Sequence, residues 1–174
     1  MLLIEVLILA VLLIIFVQDM MSRSVYWILF PLLATLFIVL RLLSRQNFAD
    51  IGQSTLINLS FLVVQLLLVS AYFSLKRGQW VNITAGLLGW GDVFFLLCAA
   101  VYLSVLNFLF FYIFSLMITL LLWLTRQLMI NKKSKQIPLA GLQALFLAAC
   151  LAGSWWFLPV NLTYDSWVFH FLFK

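Results

Sequence analysis

The run VFFLLCAAVYLSVLNFLFFYIFSLMITLLLWLT, residues Val93–Thr125, carries no charged side chain. As a single helix rising about 1.5 Å per residue it would be about 50 Å long, against a bilayer hydrocarbon core of about 30 Å. Two spans fit better, 92–105 and 108–128, turning near Ser104 to Asn107. The whole chain has the same character. It is 67% hydrophobic and 9% charged, far from the balance of a soluble domain, and a water-soluble fold would have nowhere to put that apolar surface. The expected class is an all-α integral membrane protein, with one domain over residues 1–174 and no room for a soluble catalytic module.

Working outward toward the N-terminus, the long run is preceded by Gly89-Trp90-Gly91-Asp92 and by a mixed segment, 78–91, with glycines at 86, 89 and 91. Each glycine weakens a helix by about 1 kcal/mol. Irregular backbone at membrane depth is tolerated only inside protein or beside a wet cavity, so 78–91 points to a water-accessible site. Before it lie three apolar runs, 2–18, 25–43 and 55–75, separated by a short polar turn at Asp19–Ser24 and by the most polar loop of the chain, Ser44–Ser54. Toward the C-terminus come Arg126 and the basic cluster Lys132-Lys133-Ser134-Lys135, then a sixth run from Ile137 to Leu158. Pro138 suits a first helical turn, where its missing donor would be unpaired anyway. The tail 159–174, with Asp165 and His170 among aromatics, has an interfacial composition. The first run starts without a basic n-region, contains Glu5 and lacks a small-residue cleavage pattern, so it is expected to be a retained helix.

The formal charge is +5, but the basic residues sit in short clusters between apolar runs. That is the pattern of topology-setting loops and not of a nucleic-acid face. With six spans, the loops after spans one, three and five hold Arg23, Lys76, Arg77, Arg126, Lys132, Lys133 and Lys135; the other side holds Arg41, Arg45 and Lys174. The positive-inside rule then makes the first set cytoplasmic and the N-terminus external. Asp19 and Asp92 consequently fall on the same, cytoplasmic side and at similar depth.

A charged residue at membrane depth costs roughly 2.5–3.5 kcal/mol on insertion scales and marks function by default. Two carboxylates close together do not both ionise cheaply; one keeps a proton and the pair titrates as a unit. The ionised member can activate a water while the protonated member polarises a peptide carbonyl. Neither metal nor cofactor is needed for that chemistry. Glycines beside Asp92 would let a substrate backbone lie close to the acid. Taken singly, the features have plainer explanations: Asp19 as a helix cap or a partner of Arg23, Gly89 and Gly91 as helix-packing residues, His170 as an interfacial histidine. Ser22 and Ser24 have no base, since the histidine is expected on the opposite face. Cys98 and Cys150 lie in apolar runs without a CxxC pair and read as apolar thiols.

An Asp at the end of span one, followed by Gly89-Trp90-Gly91-Asp92 before span four, resembles the type IV prepilin peptidases and the archaeal preflagellin peptidases, membrane aspartic proteases of the GxGD class. Asp19 matches the acid of the family's first motif, Arg23 a common basic position and Val25 an aliphatic one. Tyr26 and Trp27 replace the usual proline and polar residue. Phe94 stands where the family often has a lysine. Ile137-Pro138-Leu139-Ala140 looks like the family's proline-led start of the last span. The resemblance implies catalytic roles for Asp19 and Asp92, with Gly89, Trp90 and Gly91 at the substrate approach. The chain also lacks the methyltransferase insertion of the bifunctional bacterial enzymes. It implies a peptidase-only enzyme in the cell membrane, without cofactor, cutting short basic leaders from prepilin-like, membrane-anchored precursors at the cytoplasmic face. A general GxGD intramembrane protease is the alternative within the same chemistry. A proton or ion carrier using the same acids and a non-catalytic scaffold are the alternatives outside it.

Overall fold

The computed structural model describes residues 1–22, 24–77, 89–129, 139–157 and 161–165. The side chains of Arg77, Trp123 and Arg126–Met129 are outside that description, as are Arg23, the segment 78–88, Pro138, the cluster at 132–135 and His170. Six α-helices follow one another: α1 (Leu2–Ser22), α2 (Leu29–Leu43), α3 (Phe48–Arg77), α4 (Trp90–Tyr102), α5 (Val105–Met129) and α6 (Leu139–Ala152), the last continued by a π-helical turn at Gly153–Phe157. There is no strand among the described residues. Four segments are long and apolar enough to cross a membrane: Leu2–Ser22, Phe48–Lys76, Val105–Leu122 and Leu139–Phe157. The α2 and α4 helices, of 15 and 13 residues, are shorter, about 22 and 20 Å at the usual rise.

The core lies between α1, α2, α4 and α6, with α1 packed on α6 and α2, and α4 on α2, α3 and α6. Ile8, Val11, Leu12, Ile15 and Asp19 are the buried residues of α1. Their three-and-four spacing is one helical face, so Asp19 continues the core stripe. On α6 the buried positions are Ala140, Gly141, Gln143, Ala144, Leu147, Ala148 and Leu151; the small ones among them let two helix backbones come close without relying on a hydrophobic drive that lipid does not supply. The outward faces of α1, α3 and α5 remain apolar, as at Leu3, Leu67, Leu68, Leu120 and Leu121.

Several boundaries differ from the sequence expectation. The α1 helix runs past residue 18 to Ser22, which puts Asp19 inside its last turn. The α2 helix starts at Leu29 and not at 25, placing Pro31 in the first turn, where a missing N–H costs nothing. The loop expected over Ser44–Ser54 shrinks to a turn, because α3 begins at Phe48. The polar residues there serve the helix start: Asp50 lies in the first turn, favourable at the positive end of the dipole, and Ser54 Oγ donates back to the carbonyls of Asp50 and Ile51. Arg45, at φ 58°, makes the left-handed step of the turn.

The long apolar run does divide, at Leu103–Ser104. Leu103 is extended (φ −79°, ψ 144°), and the chain is held there by side chains from elsewhere. Asn58 of α3, buried, donates to the carbonyls of Ala100 (3.0 Å) and Leu103 (2.9 Å). Arg41 of α2 donates from Nη1 to the Val101 carbonyl at 2.7 Å. These are the orphan acceptors of a helix C-terminus, satisfied by protein in the absence of water. Residues 161–165 close the other side: Ser104 donates its N–H to the Leu162 carbonyl at 3.1 Å and its Oγ proton to Asp165 at 2.6 Å. The part of the tail that is described is therefore folded onto the α4–α5 joint. Cys98 is buried, with its thiol against the Phe30 carbonyl, and neither cysteine forms a disulfide.

Candidate active site

Three buried stripes end at the same end of the bundle. Asp19 is in the last turn of α1, Asp92 in the first turn of α4, and Ala140 and Gly141 in the first turn of α6. The Asp19 side chain is 8% exposed, and its Oδ2 accepts the Gly141 N–H at 2.6 Å. Asp92 is half-buried. Its Oδ2 accepts the Gly89 N–H at 3.1 Å, while its own N–H donates to the Gly89 carbonyl at 3.1 Å. Gly89 has no side chain to return a bond, so this is the carboxylate half of a capping box. The Asp92 carboxylate also lies within electrostatic reach of the Ala140 backbone amide and of Asp19. The two acids, 73 positions apart in the chain by subtraction of their numbers (92 − 19), thus share neighbouring amides of one helix start.

The first four N–H groups of a helix have no partner within it, and the helix dipole favours negative charge there. Leu139, Ala140 and Gly141 open α6, which makes their amides natural donors to carboxylates. Close approach is possible because Gly141 lacks a side chain: a Cβ there would sit 3.0 Å from both Cβ and Oδ2 of Asp19 and 3.3 Å from the Phe16 carbonyl oxygen. A Cβ at Gly89 would lie 3.2 Å from Asp92 Oδ2. At Gly91 it would meet only the Phe30 ring, at 3.9 Å, an ordinary contact.

Trp90 opens α4 and is 60% exposed. One turn on, Phe94 occupies the position of the expected lysine. Its ring lies between those of Phe30 (centroids 5.8 Å) and Trp90 (6.1 Å). An aromatic ladder stands beside the acids where the resemblance would put a cation. The proposed Asp19–Arg23 pairing and residues 78–88 of the expected wet segment 78–91 fall outside the described residues. Among the described residues, no three His, Cys, Asp or Glu side chains come together as a metal site would require. A cavity of about 280 Å³ lies at the opposite end of the bundle, bordered by Glu5, Ser44, Tyr102 and Trp155, and shares no residue with the two acids.

Sequence reading singled out both aspartates and the glycines near Asp92, named Ala140 only as part of the proline-led start of the last span, and missed Gly141. The available signal was a small pair right after a proline-led helix start, which marks both unpartnered amides and room for a close neighbour. No family model, curated protein or solved structure matches the chain.

Proposed function

We propose that this protein is a membrane aspartic endopeptidase that removes short basic leaders from prepilin-like, membrane-anchored precursors. The observation that carries the proposal is that Asp19 and Asp92 lie at one end of the bundle within electrostatic reach of each other, with the Gly141 amide bonded to Asp19 and the adjacent Ala140 amide in electrostatic reach of Asp92. In this reading all six helices are inserted, α2 and α4 as short inner ones, the N-terminus is external, and the two acids face the cytoplasm. The excess of lysine and arginine in the loops on that side supports the orientation.

The chemistry requires only the two side chains and water. The ionised carboxylate takes a proton from a water as its oxygen attacks the scissile carbonyl carbon. The protonated carboxyl donates to the carbonyl oxygen, and collapse of the tetrahedral intermediate returns a proton to the departing amine. The two α6 amides favour the charge of whichever carboxylate is ionised. The substrate backbone would approach at Gly91, where there is room, along the exposed face of Trp90.

The test is cleavage of a co-expressed prepilin-like precursor. Asp19→Asn and Asp92→Asn should each abolish processing while the protein still inserts and folds; processing by either well-folded variant rejects the proposal. Asp92-dependent ion flux into proteoliposomes without proteolysis would replace it with the carrier reading.

A further inference from the structure

We infer that Gly141 is the positioning residue that sets the Asp19 carboxylate, and that the first turn of α6 is a common brace for both acids. This rests on the peptidase reading above. Successive amides on a helix are about 100° apart around its axis. The free amides of a first turn point along the axis, out past the helix N-terminus, and Ala140 and Gly141, staggered around that end, can face two different neighbours, α4 and α1, from one rigid turn. A shift of α6 along or away from α1 moves both amides at once. The separation of the two acids is then fixed by a third helix that contributes no acid of its own.

The confinement of Gly141 supports the role. Gly52 and Gly153 have nothing within 4 Å of a built Cβ, and Gly91 has only a ring atom at 3.9 Å. At Gly141 the obstacles are Asp19 Cβ, Asp19 Oδ2 and the Phe16 carbonyl. Two of them belong to the backbone of α1 or the root of a side chain and cannot swing away. Even a methyl group must push α6 back from α1, lengthening the 2.6 Å bond to Asp19. Small errors in the placement of a reacting group reduce the chemical step more than substrate binding.

Steady-state cleavage of a fluorogenic leader peptide by the full chain in detergent provides the test. Gly141→Ala should lower kcat by about ten- to a hundred-fold with KM within about two-fold. If that variant does not fold, glycolic acid introduced at position 141 by nonsense suppression removes the N–H without adding an atom, and the same loss of kcat is expected. Ala144→Gly loosens α6 one turn on without touching Asp19 and should leave kcat within about two-fold of the parent. Unchanged kcat on removal of the N–H, or an equal fall in Ala144→Gly, overturns the inference. Asp19→Asn separates the two levels: if it retains cleavage, the peptidase reading itself fails, whereas a strict requirement for Asp19 with indifference to the Gly141 N–H rejects the brace alone.

Discussion

The two ends of this bundle both hold charge away from water, and they do it by opposite means. At one end Arg41, 2% exposed, is tied down mainly by side chains and turns. Its Nε donates to Gln46 at 2.6 Å and its Nη2 to Ser54 at 3.1 Å. Gln46 in turn donates to Thr163 at 2.7 Å, and Asp50 lies in electrostatic reach. At the other end two carboxylates are held by the backbone amides of Gly89 and Gly141, with that of Ala140 in electrostatic reach. The first arrangement joins α2, α3, α4 and the 161–165 segment through a fork of fixed donors, a structural clamp. The second places the two acids at the tips of α1 and α4, against the start of α6, and leaves the nearby surface open at Met21, Trp27 and Trp90. A buried charge held by many side chains is one the fold needs; a pair of acids held by helix starts is one the fold presents.

The comparison breaks most directly if the acids prove structural. Asp92→Asn should reduce cleavage by at least about a hundred-fold, the range expected for losing an acid–base group, with thermal unfolding in detergent close to that of the parent. A collapse in stability with no specific loss per folded molecule would make the two ends alike. The converse holds for Arg41→Met, which leaves the Val101 carbonyl and Gln46 without their donor. It should lower stability by about 1–3 kcal/mol in denaturant unfolding, while kcat/KM per folded molecule stays within about two-fold. Asn58→Ala sharpens the same side. It exposes two carbonyls at the end of α4 and should cost about 1–2 kcal/mol, again without affecting cleavage. The smallest effect is expected at Gly91→Ala. The helix gains propensity, worth up to about 1 kcal/mol, and the methyl meets only the Phe30 ring, so melting should hold or rise slightly. A higher KM in that variant would place the substrate backbone against Gly91; an unchanged KM would move the approach elsewhere.

Much of this was legible because the chain is so apolar that its exceptions stand out. The division of 93–125 followed from its length, and Asp19 and Asp92 from their isolation. The polar stretch before Ser54 was misjudged as loop. Polar side chains at a helix start resemble those of a loop, and only the bonds from Ser54 back to Asp50 and Ile51 separate the two. Arg41 was expected to close a span at the membrane edge. It is buried because the C-terminus of α4 needs donors there, a tertiary demand with no trace in the local sequence. Gly141 escaped for the same reason: its significance lies in the approach of α1 to α6, helices at opposite ends of the chain.

The joint at Leu103–Ser104 has a consequence for the order of assembly. The Ser104 N–H finds its acceptor in the Leu162 carbonyl, 58 residues later. A chain made from the N-terminus therefore exposes the whole run 93–125 before the residues that close the bend exist. Until they arrive, the bend has the donors made before it, Arg41 and Asn58, on the carbonyls of Ala100, Val101 and Leu103. The C-terminal segment adds the closing contacts when it returns across the bundle to meet Ser104 and Asn107.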